Sequence, residues 1–293
     1  MDTSGITLRI GATFFFTLMV ICAKLLADTV PVGQVVFFRS AVALIPLIGF
    51  LIWTREFPQG LRTRRPMAHV LRCMLGCTAL FASFASLKYL PLADATIIGY
   101  LAPLVSVVLA RLVLGEDVPP ARWLAVTVGF LGILVLVIPQ LNDVDLDRAY
   151  LIGAALALTM ALFTAGAKIQ IRSLALTENA GAIAFYFALT CALAGLATAS
   201  FGWIRPDGYQ LALLIGAGMA GGIAHIMMTL ALQRAEVSKL APFEYLALLF
   251  AIIADVAVFG LAPQMEFYYA TALILGSLWL VTKRAKRIRP TTI

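Results

Sequence analysis

The chain has 293 residues, of which 62% are hydrophobic and 13% charged, and it carries a formal net charge of +7. Soluble domains average about 45–50% apolar and about 25% charged residues, so this surplus of apolar side chains cannot be hidden in a soluble globule and must face lipid. The basic residues are scattered between apolar runs and gather into no single patch, which argues against a nucleic-acid-binding surface.

The useful unit is therefore the membrane span, roughly 20 mostly apolar residues at about 1.5 Å each. The N-terminal MDTSGITLRI has neither a basic n-region nor a small-residue cleavage site, and the first apolar run is expected to be a retained helix. In chain order, apolar runs fall at 7–27, 33–53, 67–87, 92–113, 120–139, 149–171, 180–202, 209–232, 238–261 and 265–283. Each must satisfy its backbone internally in the bilayer core, which helices do. The ten-residue alternation of a membrane barrel is absent. The expected fold is an all-α membrane protein with ten transmembrane helices.

Lys and Arg set the orientation. With a cytoplasmic N-terminus, sixteen of the twenty-two basic residues fall on the inner side, including Arg55, Arg62, Arg64 and Arg65 and the tail from Lys283 to Arg289. The outer side keeps Lys24, Lys88, Arg148 and Arg205 with the acidic run NDVDLD at 142–147. This predicts a multi-pass inner-membrane protein with both termini cytoplasmic.

The chain also resembles itself. SLKYLPLADATIIGYLAPLVSVVLARLVLG (86–115) aligns without a gap on ALQRAEVSKLAPFEYLALLFAIIADVAVFG (231–260), an offset of 145 that places Tyr100 on Tyr245. Ala23-Lys24 matches Ala167-Lys168 at 144, and VVFF (35–38) matches IAFY (183–186) at 148. Five helices are an odd number, so the second copy, 146–293, enters the membrane from the side opposite to the first, 1–145. Inverted-topology repeats of this kind are a hallmark of secondary transporters.

PVGQVVFFRSAVALIP (31–46) and ADATIIGYLAPLVSVVLARLVLGEDV (93–118) resemble transporters of the EamA type in the drug/metabolite transporter superfamily. The resemblance covers essentially the whole chain and rests on the ten-helix 5+5 plan more than on a short motif. It departs where VFGLAPQ (258–264) lacks the Glu that follows Gly115. It implies a carrier of small metabolites, closest in general look to bacterial exporters of amino acids, aromatic ones included. An uptake carrier for a vitamin or nucleoside-like cofactor is the alternative within transport. A membrane scaffold or lipid-modifying enzyme is the alternative of another class.

Charged groups inside spans cost roughly 2.5–3.5 kcal/mol each on insertion scales and need a reason. Lys24 either binds a carboxylate in an outer vestibule or snorkels to pair with Asp28, and the pairing is the expectation. Arg39, two turns from its helix end, is expected to tie to Asp28 or Asp94 or to contact substrate. Glu244 and Asp255 lie on one stripe of the ninth span and are candidates for a proton relay. His225 follows the Gly218/Gly222 pair, whose spacing implies close helix packing, and it either hydrogen-bonds across that contact or titrates in a gate.

Pockets for small organic substrates are mostly apolar with a few placed polar groups. Phe15, Phe81, Phe84 and Phe163 lie at mid-span depth, and Tyr100 and Tyr245 are related by the repeat, so all six, together with His225, are candidates to contact substrate. His-Glu-x-x-His, Gly-x-Ser-x-Gly and P-loop motifs are absent, and no enzyme activity is expected. Asp143, Asp145 and Asp147 mimic half a calcium loop, but Arg148 stands where glycine is needed, so a solvated loop is expected. Cys22, Cys73, Cys77 and Cys191 lack metal spacing and read as small apolar residues. No cofactor or metal is expected. The expected partners are a small-molecule substrate and the bilayer, with the chain a monomer or a weak homo-oligomer.

Overall fold

The computed structural model describes residues 3–114, 120–142, 148–175, 177–234 and 246–285. Eleven α-helices make up these residues: α1 (Thr3–Leu26), α2 (Val32–Trp53), α3 (Pro66–Ser86), α4 (Leu92–Gly99), α5 (Leu101–Leu114), α6 (Pro120–Asn142), α7 (Arg148–Ala175), α8 (Ala180–Ala197), α9 (Gly208–Arg234), α10 (Leu246–Phe259) and α11 (Met265–Ala285). They correspond to the ten apolar runs, with α4 and α5 sharing the fourth. Nothing in the chain alternates with the period of a strand, and the described residues contain none.

The fourth run breaks at Tyr100 because of Pro103. Proline lacks the N–H that would bond the carbonyl four residues back, here that of Gly99. The Tyr100 N–H is shared between the carbonyls of Thr96 (3.2 Å) and Ile97 (3.1 Å) before the chain restarts as α5. The seventh run ends earlier than its apolar composition implies. The Thr198 hydroxyl turns back to the Gly195 carbonyl (2.6 Å), Trp203 Nε1 donates to that hydroxyl (3.0 Å), and Gly202 takes a left-handed φ of 82°. Gly260, at φ 65°, stops α10 in the same way, and the Leu261 N–H reaches back to the Asp255 carbonyl at 2.8 Å.

The principal helix contacts form a symmetric set. α1 packs on α9 as α3 packs on α7, α2 on α9 as α3 on α8, and α1 on α10 as α4 and α5 on α7. α2 meets α8, α4 meets α10, and α6 meets α11. Exchanging each span with the one five places along maps this set onto itself, as a pair of inverted five-helix repeats requires. Small residues allow the closest approach. A Cβ on Gly218 would stand 2.8 Å from Val42 Cγ1, and one on Gly222 would stand 3.1 Å from the Ala43 carbonyl, so α9 seats directly on the α2 backbone. Large apolar side chains such as Ile45, Met74, Leu193 and Trp279 point outward, where lipid covers them.

The chain order gives the bundle two ends. The end carrying Lys24 holds the starts of α2, α4, α7, α9 and α11. The opposite end holds the starts of α3 and α8, and the 54–65 loop.

Candidate functional site

Two arginines meet in the middle of the bundle. Arg39 is seven residues into α2 from the Lys24 end, and Arg72 is six into α3 from the other, about 9–11 Å from their respective helix starts. Both reach Phe187 on α8. The Arg72 guanidinium carbon lies 4.0 Å from the ring centroid and that of Arg39 5.8 Å. They are 7% and 2% exposed. Arg39 Nε donates to Met19 Sδ at 3.3 Å, and its Nη2 stands 3.2 Å from His225 Nε2. Arginine has donors only, so Nε2 is the acceptor in this contact. His225 is clamped edge-to-face between Phe16 (5.0 Å) and Phe187 (6.3 Å).

A desolvated cation–π contact contributes about 2 kcal/mol, comparable to the cost of burying one cation in a membrane. It satisfies the face of the guanidinium and leaves its N–H edge unanswered. Arg72 Nε and Nη1 are buried without a hydrogen-bond partner, as is the hydroxyl of Ser40.

At the Lys24 end, Asp255 of α10 caps α4 from the side. Its Oδ1 accepts from the Leu92 N–H (3.0 Å) and its Oδ2 from the Ala93 N–H (2.6 Å). The first turn of a helix has free N–H groups and a partial positive charge, so a carboxylate is well placed there. Next to it, Tyr150 of α7 donates to Asp94 Oδ2 at 2.9 Å. Asp94, Asp255, Tyr150 and Glu266 line a cavity of about 300 Å³ between α4, α7, α10 and α11. Gln34 of α2 exchanges two hydrogen bonds with the backbone of Ile204.

At the opposite end, Glu178 joins the halves. Its Oε1 accepts from the Arg64 N–H at 2.9 Å, and its Oε2 stands 3.6 Å from His69 Nε2. Arg65 Nη1 donates to the Ser173 carbonyl (3.0 Å), and the Tyr186 hydroxyl donates to the Leu61 carbonyl (2.7 Å). Burial pushes the Glu178 carboxyl up, but the Arg64 N–H together with the side chains of Thr63 and His69 holds it below the ordinary value.

The residues singled out from sequence take varied places. Arg39 and His225 share the central cluster, and the hydrogen bond expected of His225 across the α2–α9 contact is the one to Arg39. The expected tie of Arg39 to Asp28 or Asp94 is not formed: those carboxylates sit at the Lys24 end, while Arg39 turns inward to His225 and Met19. Lys24 likewise forgoes Asp28. It donates to the carbonyls of Leu90 (2.5 Å) and Leu87 (3.4 Å) where α3 ends, and lies 5.2 Å from the Phe259 ring centroid. The last carbonyls of a helix lack intrahelical donors and attract a cation.

Tyr100 sits half-buried at the α4–α5 break, and Phe15 and Phe81 are half-buried against the same core into which Phe84 is fully buried. Phe163 faces a separate apolar groove of about 320 Å³ with Leu75, Leu109 and Ile169. Glu244 and Tyr245 lie outside the described residues, as do Asp143, Asp145 and Asp147. Among the described residues, no three His, Cys, Asp or Glu side chains gather as metal ligands would. Sequence reasoning passed over Arg72 and Phe187. The available signal was a second in-span arginine one turn before a glycine, with Phe187 standing at the repeat equivalent of Arg39.

Residues 3–138 match the model of the EamA-like transporter family. Over 267 residues the chain is 27% identical to the S-adenosylmethionine uptake transporter of Rickettsia prowazekii, covering 91% of this chain and 88% of that one. Over 262 residues it is 30% identical to the riboflavin transporter of Rhizobium johnstonii, covering 88% and 84%. Over 248 residues it is 28% identical to the pseudopaline exporter of Pseudomonas aeruginosa, covering 84% of each chain. With a ten-span helical fold and a polar centre buried between its halves, the chain belongs to the EamA-like family of small-metabolite transporters, within the drug/metabolite transporter superfamily.

Proposed function

We propose that this chain is a secondary carrier of amino acids or close derivatives, working by alternating access between two halves, 1–145 and 146–293. The observation that supports this best is the arrangement of polar ties. A buried basic cluster lies mid-bundle, and the halves are fastened above it by Asp255 and Tyr150 and below it by Glu178, Ser173 and Tyr186. Rocking requires one set to part while the other holds, which exposes the centre to one side at a time. Tyr100, at the helix break, and its repeat mate Tyr245 are read as walls of the central path, where a ring stacks on an aromatic substrate for about 0.5–1.5 kcal/mol beyond burial.

The chain is placed in the inner membrane with both termini cytoplasmic, on the distribution of Lys and Arg. Export is the direction implied by its resemblance to amino-acid exporters. Its relatives include both uptake transporters and an exporter. A second reading, transport of a vitamin, is favoured by the 30% identity to the riboflavin transporter. Uptake of a panel of labelled amino acids and riboflavin into reconstituted liposomes, with and without a pH gradient, decides between them. Saturable uptake of an amino acid supports the first reading, and uptake of riboflavin alone replaces it with the second.

A further inference from the structure

Among the described residues, both charged side chains at the central cluster are basic. The titratable groups that meet the two guanidiniums are each other, across the Phe187 ring, and His225 beside Arg39. No carboxylate of the described residues is among them. Two cations in one low-dielectric place repel each other, and stacking on Phe187 does nothing to cancel that repulsion. Buried charges in proteins are normally paired, and a pair that is missing among the described residues is a place for a ligand's charge.

We propose that Arg72, with Arg39 as the second cation, holds a carboxylate of the transported molecule beside the ring of Phe187. Several observations converge on this. The Arg72 face is occupied by Phe187 at 4.0 Å, which orients the planar group. Its Nε and Nη1 are buried with no partner. A guanidinium fixed by its face presents its edge, the part that matches a carboxylate. Arg39 is already spent in part on His225 and Met19, so it contributes charge while Arg72 contributes free donors.

Gly76 makes room for the stack itself. A Cβ on Gly76 would stand 2.6 Å from Arg72 Nη1 and 2.9 Å from Phe187 Cε2, so only glycine leaves the guanidinium and ring in this arrangement. The position between the two end ties is where a substrate is held in alternating access. This inference rests on the carrier reading and narrows it: the ligand's recognised group is a carboxylate, and an amine alone is not enough.

The test uses the purified full-length chain in detergent and reads thermal unfolding with L-phenylalanine, L-glutamate, 3-phenylpropanoate and 2-phenylethylamine. A ligand that binds only the folded state raises Tm with its concentration. At least one carboxylate should raise the Tm of the wild-type chain, and the amine should not. In Arg72→Gln, the concentration giving half the shift should rise about tenfold to a hundredfold, as loss of a charged hydrogen bond implies. Arg72→Lys should recover part of the response.

Because the carboxylate–amine contrast is read on the wild type, the result does not depend on how the variants fold. An amine response equal to that of the carboxylates, or no response to any carboxylate, overturns the site. So does an unchanged carboxylate response in a folded Arg72→Gln. Liposome flux separates this from the carrier reading. Flux of a carboxylate-free metabolite without any carboxylate response overturns the site alone, whereas a carboxylate response without flux of any solute upholds the site and overturns the carrier.

Discussion

Gly76 of α3 and Gly221 of α9 stand at the repeat offset of 145, and each leaves the space into which a buried guanidinium folds. The two sites differ in what a methyl group would meet. At Gly76 a Cβ would press on the Phe187 ring (2.9 Å) as well as on Arg72. At Gly221 it would meet the flexible Met19 Sδ (2.9 Å) first and Arg39 Nε only at 3.3 Å. Methionine yields easily and a packed aromatic ring does not. Gly76→Ala should therefore lose about 1–3 kcal/mol of stability together with substrate flux, while Gly221→Ala should lose less of both. Thermal unfolding of the two variants side by side checks the order, and a milder Gly76→Ala would mean that the Arg72–Phe187 stack is loosely held.

Asp255 has two readings that experiment can part. As a cap, its loss strands the Leu92 and Ala93 N–H groups, each costing about 1–3 kcal/mol when buried. Asp255→Ala should thus destabilise more than Asp255→Asn, which keeps one acceptor. As a proton relay, Asp255→Asn should abolish stimulation of transport by a pH gradient while counterflow exchange persists. Gradient dependence that survives in a folded Asp255→Asn chain assigns the residue to capping alone.

Glu178 makes the opposite end acid-sensitive. Its carboxyl is held below the ordinary value, so the stability it contributes is complete above its unfolded pKa of about 4.3 and is lost as pH falls through the lower folded value. The Tm of the wild-type chain should drop between about pH 5 and pH 3, with a shallower drop in Glu178→Gln. Equal slopes would show that the tie to Arg64 and His69 does not hold that end together.

The spans were legible because lipid imposes a length and an apolar composition that few sequences meet by accident, and nine of the ten runs match their helices in the described residues to within a few residues. The break at Tyr100 was foreshadowed by Pro103, although its position depends on the carbonyl four residues earlier. The site was less legible. Arg39 was visible as an in-span charge, but its expected acid partners, Asp28 and Asp94, sit at the Lys24 end, and it turns instead to His225, 186 residues away. Arg72 is less legible, because an arginine six residues into a helix is within snorkelling reach of the interface. The Phe187 ring and the absence of a Cβ on Gly76 draw it inward, and that arrangement exists only once α3 and α8 have packed.

Orientation is checked by labelling. Single cysteines placed in 142–147 should react with an impermeant maleimide on intact cells, and those in 283–289 only after permeabilisation. The reverse pattern would place both termini outside the cytoplasm and leave the helix pairing untouched.

Counterflow in proteoliposomes tests most directly whether this chain is an amino-acid carrier whose substrate is held between Arg39, Arg72 and Phe187. Vesicles loaded with unlabelled amino acid should accumulate the labelled compound transiently from outside. Arg72→Gln should reduce that accumulation about tenfold or more at subsaturating substrate while remaining folded. No accumulation of any amino acid by the wild-type chain, or full activity in Arg72→Gln, would contradict it.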